Sequence, residues 1–304
     1  MTTVPSATRS LASANLICMA SLVVWSAGLP AAELIIQLMP SVALAAMRTG
    51  LAALSLMAVW VFVEGVRPIR SANWLHGLLV GGLAIGAGST LLVVGQAYTD
   101  AVTVAIISAA TPIIGMGLEV LLDGRKVTRA LVLGLLLSLA GGMIALAKGG
   151  FTLDLGLGAL AVIASISVFT WGSRASVTYF PDLTALGRTS ITITCAFGVT
   201  LVVSLVWSTA GGAPVQWAAF GWREVGALLV CSVGALAISQ LLWIMSVDRL
   251  GIGLSSLHMN AVPFYVMLIA FAFGADWSWL QTCGAAVVVL GVMIAQGMIR
   301  MPAR

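Results

Sequence analysis

Charge is what this sequence lacks. Asp, Glu, Lys and Arg make up only 8% of its 304 residues, and 61% are hydrophobic; a soluble domain carries about a quarter charged residues. So little polar surface cannot cover a water-facing globule, and a soluble fold is excluded. Cysteine is sparse as well. Cys18, Cys195, Cys231 and Cys283 all fall inside apolar runs and form no close pair, so they read as small buried hydrophobes and not as a disulfide or metal framework. No phosphate-binding loop is present, because Gly86-Ala87-Gly88 lacks the strand and helix start it would need. No nucleophile constellation or metal cluster stands out, and no cofactor is implied. The net charge of +4 does not point to nucleic acid, since the cations sit mostly in short turns between apolar runs. No segment alternates polar and apolar residues as the strands of a membrane barrel do.

What the chain has instead is apolar runs of membrane length. About 20 such residues cross the hydrocarbon core as a helix. Ten spans are expected, at roughly 11–34, 41–63, 74–96, 101–122, 129–147, 156–178, 184–208, 224–246, 252–274 and 279–299. The stretch from Ala97 to Ala145 shows the internal plan. It has an apolar run with Pro112, a turn Asp123-Gly124-Arg125-Lys126, and a second run with Gly134, Gly141 and Gly142. The plan returns with Pro263, Asp276, Gly284 and Gly291. Residues 1–150 and 151–304 therefore read as two five-helix repeats of one transmembrane domain. An odd number of helices per half turns the second half upside down, which gives an all-α membrane protein of two inverted repeats. The first span has Arg9 and Ala31-Ala32 and resembles a signal peptide, but the repeat favours keeping it.

Loop charges set the orientation. Arg9, Arg67, Arg125, Lys126, Arg249 and Arg300 fall on one side with several others, and only Lys148 and Arg223 on the other. That side is expected to be cytoplasmic, with both termini inside, in a bacterial-type inner membrane. Trp217, Trp222, Trp277 and Trp279 gather at the opposite face as an aromatic belt.

Trp25-Ser26, Pro40, Ala45-Ala46-Met47-Arg48, Ala97-Tyr98-Thr99-Asp100-Ala101, Pro112, Gly124, Gly134 and Gly141, followed by Trp171-Gly172, Pro181, Pro263, Asp276, Gly284 and Gly291, together resemble the EamA family of the drug/metabolite transporter superfamily. The resemblance covers essentially the whole chain. Ser26 stands where the family has a glycine, Glu33 where a lysine is frequent, and Arg125 where an acid follows Gly124. The resemblance implies a ten-helix bundle with a central cavity and export of small metabolites or drugs.

Several polar residues lie within the spans. Arg48 sits about two turns inside the second span, where a charge is costly unless paired or wetted. It either meets a substrate carboxylate or gate partner, or snorkels to headgroups. Arg188, seven residues after Pro181, is its approximate mate in the repeat. Glu119 is a candidate proton carrier, or a partner of Arg125 or Lys126. His258 is the second proton candidate, or a packing residue. Pro112 and Pro263 free carbonyls near Ser108 and Met259, either as hinges with an exposed carbonyl at the substrate site or as inert kinks. Asn260 lines the cavity or bonds between helices. Gln96, Gln240, Trp25, Trp171 and Trp243 complete the candidate substrate site, with plain packing as the other reading of each tryptophan.

The expected function is secondary active export of small organic metabolites, amino acids or similar, or drugs, by alternating access, with the proton as candidate coupling ion. The expected partners are a small-molecule substrate and the lipid bilayer, with no nucleic acid, and the chain acts as a monomer or homodimer. The competing readings are a passive facilitator or channel and, less well supported, a membrane-embedded enzyme, for which no polar groups converge at one depth.

Overall fold

The structure is a computed structural model that describes residues 6–98, 107–146 and 156–299. Among these residues every regular element is helical. The long helices are α1 (Ser6–Glu33), α2 (Ser41–Glu64), α3 (74–98), α4 (Thr111–Asp123), α5 (Arg129–Leu146), α6 (Leu157–Thr178), α7 (Ala185–Thr209), α8 (222–250), α9 (252–272) and α10 (Trp279–Ala295). Eight of them are long and apolar enough to cross a membrane, namely α1 to α3 and α5 to α9. The apolar helix α10 falls just short at 17 residues. The described part of α4 has 13 residues, and the span expected at 101–122 begins outside the described residues. The Tyr-Thr motif at 97–101 and the loop cation Lys148 fall partly or wholly outside them too.

Helix ends follow local chemistry. Thr184 caps α7 by accepting from the Gly187 N–H at 3.1 Å, and Ser278 caps α10 from Gln281 at 3.5 Å. Gly124 closes α4 at φ 66°, and Gly274 ends α9 at φ 94°, a region where any Cβ is strained. Pro112 and Pro263 stand in the first turns of α4 and of the Val262–Ala272 part of α9, where a missing N–H costs nothing. The carbonyls they were expected to leave open are taken. The Thr111 hydroxyl donates to Ser108 O at 2.5 Å, and a 3₁₀ turn at His258–Ala261 lets the Val262 N–H reach Met259 O. An exposed carbonyl beside either proline is therefore corrected to a satisfied one.

Two helices carry wide, i to i+5 turns. In α3 they span Leu78–Ala87, and in α8 Val230–Ile238. Each wide segment is crossed by the first helix of the other half. A Cβ on Gly28 of α1 would lie 2.4 Å from Ala235 Cβ, and one on Gly172 of α6 would lie 2.1 Å from Ala84 Cβ. Just past each segment a serine hydroxyl reaches across, Ser21 to Ser239 O at 2.8 Å and Ser165 to Gly88 O at 2.7 Å. Wide turns displace backbone carbonyls from the regular ladder, and these hydroxyls meet the carbonyls at the junctions.

The packing order is reciprocal between halves. α1 lies on α8 and α6 on α3; α2 packs on α7, α4 on α9, and α5 on α10. The α5–α10 seam is made by backbone. A Cβ on Gly134 would sit 2.5 Å from Gly291 O, one on Gly291 2.7 Å from Gly134 O, and Gly141 and Gly284 meet in the same way at 2.5 Å. Gly81 of α3 similarly lies against the Thr192 backbone of α7. One cysteine reading is corrected. Cys18 and Cys231 are buried and Cys195 is half-buried, but Cys283 is exposed on α10, because α10 packs through the stripe containing Gly284, Val288 and Gly291.

Candidate functional site

Arg48 and Arg188, the pair that the sequence sets out as approximate mates, have opposite surroundings. Arg188 is buried and fully engaged: Nε donates to Phe180 O at 2.9 Å, one terminal nitrogen pairs with Asp248 at 2.8 Å, and the other reaches Pro181 O at 3.4 Å. Arg48 is half-buried, and its buried Nε meets no hydrogen-bond partner. Among the described residues it forms no ion pair. It stands on the side of α2 that packs against α8, near Cys231, whose thiol is 3.4 Å from Gly28 O. A cation held inside a bundle without a counter-charge is costly unless water or a ligand meets it.

The other candidates separate into groups. Gln240 is buried on α8, and its Nε2 has no partner in the protein. One turn on, the Trp243 indole donates to Ser173 Oγ at 3.1 Å and the ring packs into the cluster of α1, α8 and α9. Trp171 packs instead against the cluster of Trp60, Val80 and Ile191. Trp25 is half-buried on α1. Asn260 faces α5, where its Nδ2 donates to Ser138 Oγ at 3.0 Å and that hydroxyl donates to Leu257 O at 2.9 Å. The three inner tryptophans thus do not form one wall. Gln96 lies in α3, with its side chain outside the described residues. A shallow groove of about 320 Å³ on α5, lined by residues from Val127 to Leu136, contains none of these candidates.

The two proton candidates are both enclosed. His258 is buried with Nδ1 3.1 Å from Leu254 O. Glu119 is 5% exposed; its Oε2 accepts from Arg125, and its Oε1 accepts from the Gly253 N–H at 2.9 Å. Beside it Arg174 binds Asp123 through both carboxylate oxygens, with Nε to Oδ2 at 2.8 Å. The guanidinium holds the Asp123 carboxyl below its ordinary range. All three ion pairs among the described residues lie at the arginine-rich ends of α4, α6, α7 and α8. Asn15 and Gln296 exchange two bonds of 2.7 Å, bringing the beginning of α1 and the end of α10 together. Sequence reasoning missed Ser173, Ser138 and Asp248, the partners that decide how Trp243, Asn260 and Arg188 sit. Their only signal was a small polar or acidic residue in or at the end of an apolar run.

The fold and its polar interior define a multi-pass helical membrane protein. Residues 12–147 match the EamA-like transporter family, so the chain carries an EamA domain. It is 27% identical over 263 residues, 85% of each chain, to the Bacillus subtilis (strain 168) protein named "Uncharacterized transporter YyaM". A crystal structure with 20% identity superimposes with a TM-score of 0.78, covering 95% of this chain and 97% of that one, which shows a shared fold. Both the family description and the relative's name are those of transporters, which supports a membrane transporter rather than an enzyme.

Proposed function

We propose that the protein is a secondary active exporter of small organic metabolites, amino acids or similar, or drugs, working by alternating access across a bacterial inner membrane. On this reading residues 1–150 and 151–304 are inverted repeats of five spans each, with the pseudo-two-fold axis in the membrane plane. The observation that carries it is the exchange symmetry of the packing: each half lays its first helix on the wide-turn segment of the other, at Gly28–Ala235 and Gly172–Ala84. Halves that hold each other by matching contacts can trade conformations at small energetic cost, which is the requirement for two states open to opposite sides. The meeting of the beginning of α1 with the end of α10 supports termini on one side, and the loop cations support that side as cytoplasmic.

Arg48 supports an anionic group, such as a carboxylate, on the substrate. Gln240 supplies a second unpartnered donor, and Trp25 an apolar surface. Glu119 and His258 remain the candidates for proton coupling. Counterflow in proteoliposomes over a panel of amino acids and their decarboxylated or amidated analogues tests the reading, since a saturable flux that needs the carboxylate is expected. Folded protein without saturable flux for any compound, or flux that rises linearly with concentration as through a channel, would sink it. Reporter fusions at the two ends are expected to fall on the same, cytoplasmic side.

A further inference from the structure

Resting on the alternating-access reading, we propose that Glu119 is a latch that joins the two halves and shuts the arginine-rich face in the conformation seen here. The carboxylate leaves α4 of the first half and accepts the Gly253 N–H in the first turn of α9, in the second half, at 2.9 Å. Its other oxygen is held by Arg125 from the loop after α4. The site is shaped for this group. A Cβ on Gly251 would lie 2.2 Å from Oε1 and one on Gly253 2.7 Å from Oε2, so the carboxylate occupies the space where two side chains would otherwise stand. Next to it, a Cβ on Gly115 would lie 2.8 Å from Ser256 Oγ, so α4 and α9 are in close contact below the carboxylate.

Among the described residues the latch has no mate. Glu119 follows Pro112 by seven residues, and seven residues after Pro263 stands Ala270. Of the carboxylates in the three ion pairs, only that of Glu119 is buried; Asp123 and Asp248 are 40% and 47% exposed. A tie on one face only favours the state closed on that face, and opening there requires the carboxylate to leave Gly253.

Two native cysteines report the two ends. Cys18 lies just under the latch, fully buried, 3.7 Å from Ser255 O. Cys231 lies toward the opposite end, fully buried against Gly28 O. The full-length protein in lipid nanodiscs is labelled with a small water-soluble maleimide, and the rate at each cysteine is read by peptide mass spectrometry. Glu119→Ala removes the carboxylate; Gly253→Ala displaces it with every charge retained. Both are expected to raise the Cys18 rate roughly tenfold or more, as loss of a charge-assisted hydrogen bond shifts a two-state balance, with Cys231 unchanged or slower. Arg125→Gln, made outside the core, is expected to give a smaller rise and keeps the test readable if either other variant fails to fold. An unchanged Cys18 rate in folded variants, or an equal rise at both cysteines from general loosening, would overturn the latch. Labelling needs no substrate, so a chain that switches at Cys18 and carries no flux would sink the transport reading alone, and flux with a fixed Cys18 the latch alone.

Discussion

Arg48 and Arg188 show one residue type in two opposite settings, the first with its buried Nε unpartnered and the second fully bonded. Arg188 has two carbonyls and a carboxylate within 3.4 Å, so its removal costs each of them a charge-assisted donor. Arg188→Ala is expected to lower stability by roughly 2 kcal/mol, less than for a fully enclosed pair because Asp248 is half-exposed. Arg48 leaves nothing bare. Arg48→Met is expected to keep or raise the thermal unfolding temperature in detergent, since a poorly solvated charge disappears, while carboxylate flux is lost. Equal destabilisation by both changes would make Arg48 a structural tie. Asp123 of the Asp123–Arg174 pair is exposed at the end of α4, and the pair's effect belongs to acid conditions. The folded-state carboxyl titrates below its unfolded value, so its contribution is full above about pH 4 and fades as pH falls through the lowered value. Thermal unfolding between pH 2.5 and 7 should show Asp123→Asn shedding an acid-dependent increment of roughly 0.5 kcal/mol.

At the scale of elements, the helices were legible where one physical term dominates. Apolar length marked eight of the expected spans as helices long enough to cross a membrane, and the glycines of α3 and of α5 with α10 were readable as packing. The wide turns at Leu78–Ala87 and Val230–Ile238 were not legible, since a glycine- and alanine-rich run suits either winding and only the crossing helix selects one. The satisfied carbonyls beside the prolines were not legible for a related reason. A missing N–H is visible in sequence, but the hydroxyl of Thr111 and the tightened turn before Val262 that meet the freed carbonyls depend on local geometry. The α5–α10 seam gives a sharp expectation. Gly141→Leu forces a branched side chain into Gly284 O and should cost about 1–3 kcal/mol, read as a lower unfolding temperature. Gly117→Leu, with nothing within 4 Å of its Cβ, should cost far less.

At the scale of the whole molecule, the proposed doubled plan rests on the spacing of Pro112, Gly134 and Gly141 against Pro263, Gly284 and Gly291, and the reciprocal packing is what supports the proposal. The candidate site was less readable. Charged and amide residues within the spans are visible in the sequence, but whether each is satisfied depends on serines and an aspartate from distant parts of the chain, and sequence spacing does not encode that. Trp171 and Trp243 looked alike as apolar-run tryptophans and ended in separate clusters, because one sits on the α3 side of α6 and the other on the α6 side of α8.

The glycine seam has a mechanical consequence. Gly134 touches Gly291 and Gly141 touches Gly284, so swapping the roles of the two halves returns the same two contacts. Whichever side the bundle faces, this edge can stay as it is, like the spine of a book whose covers move. Under the proposed alternating access, distances measured by spin labels across α5 and α10 should therefore hold constant, while those across the α2–α7 edge change.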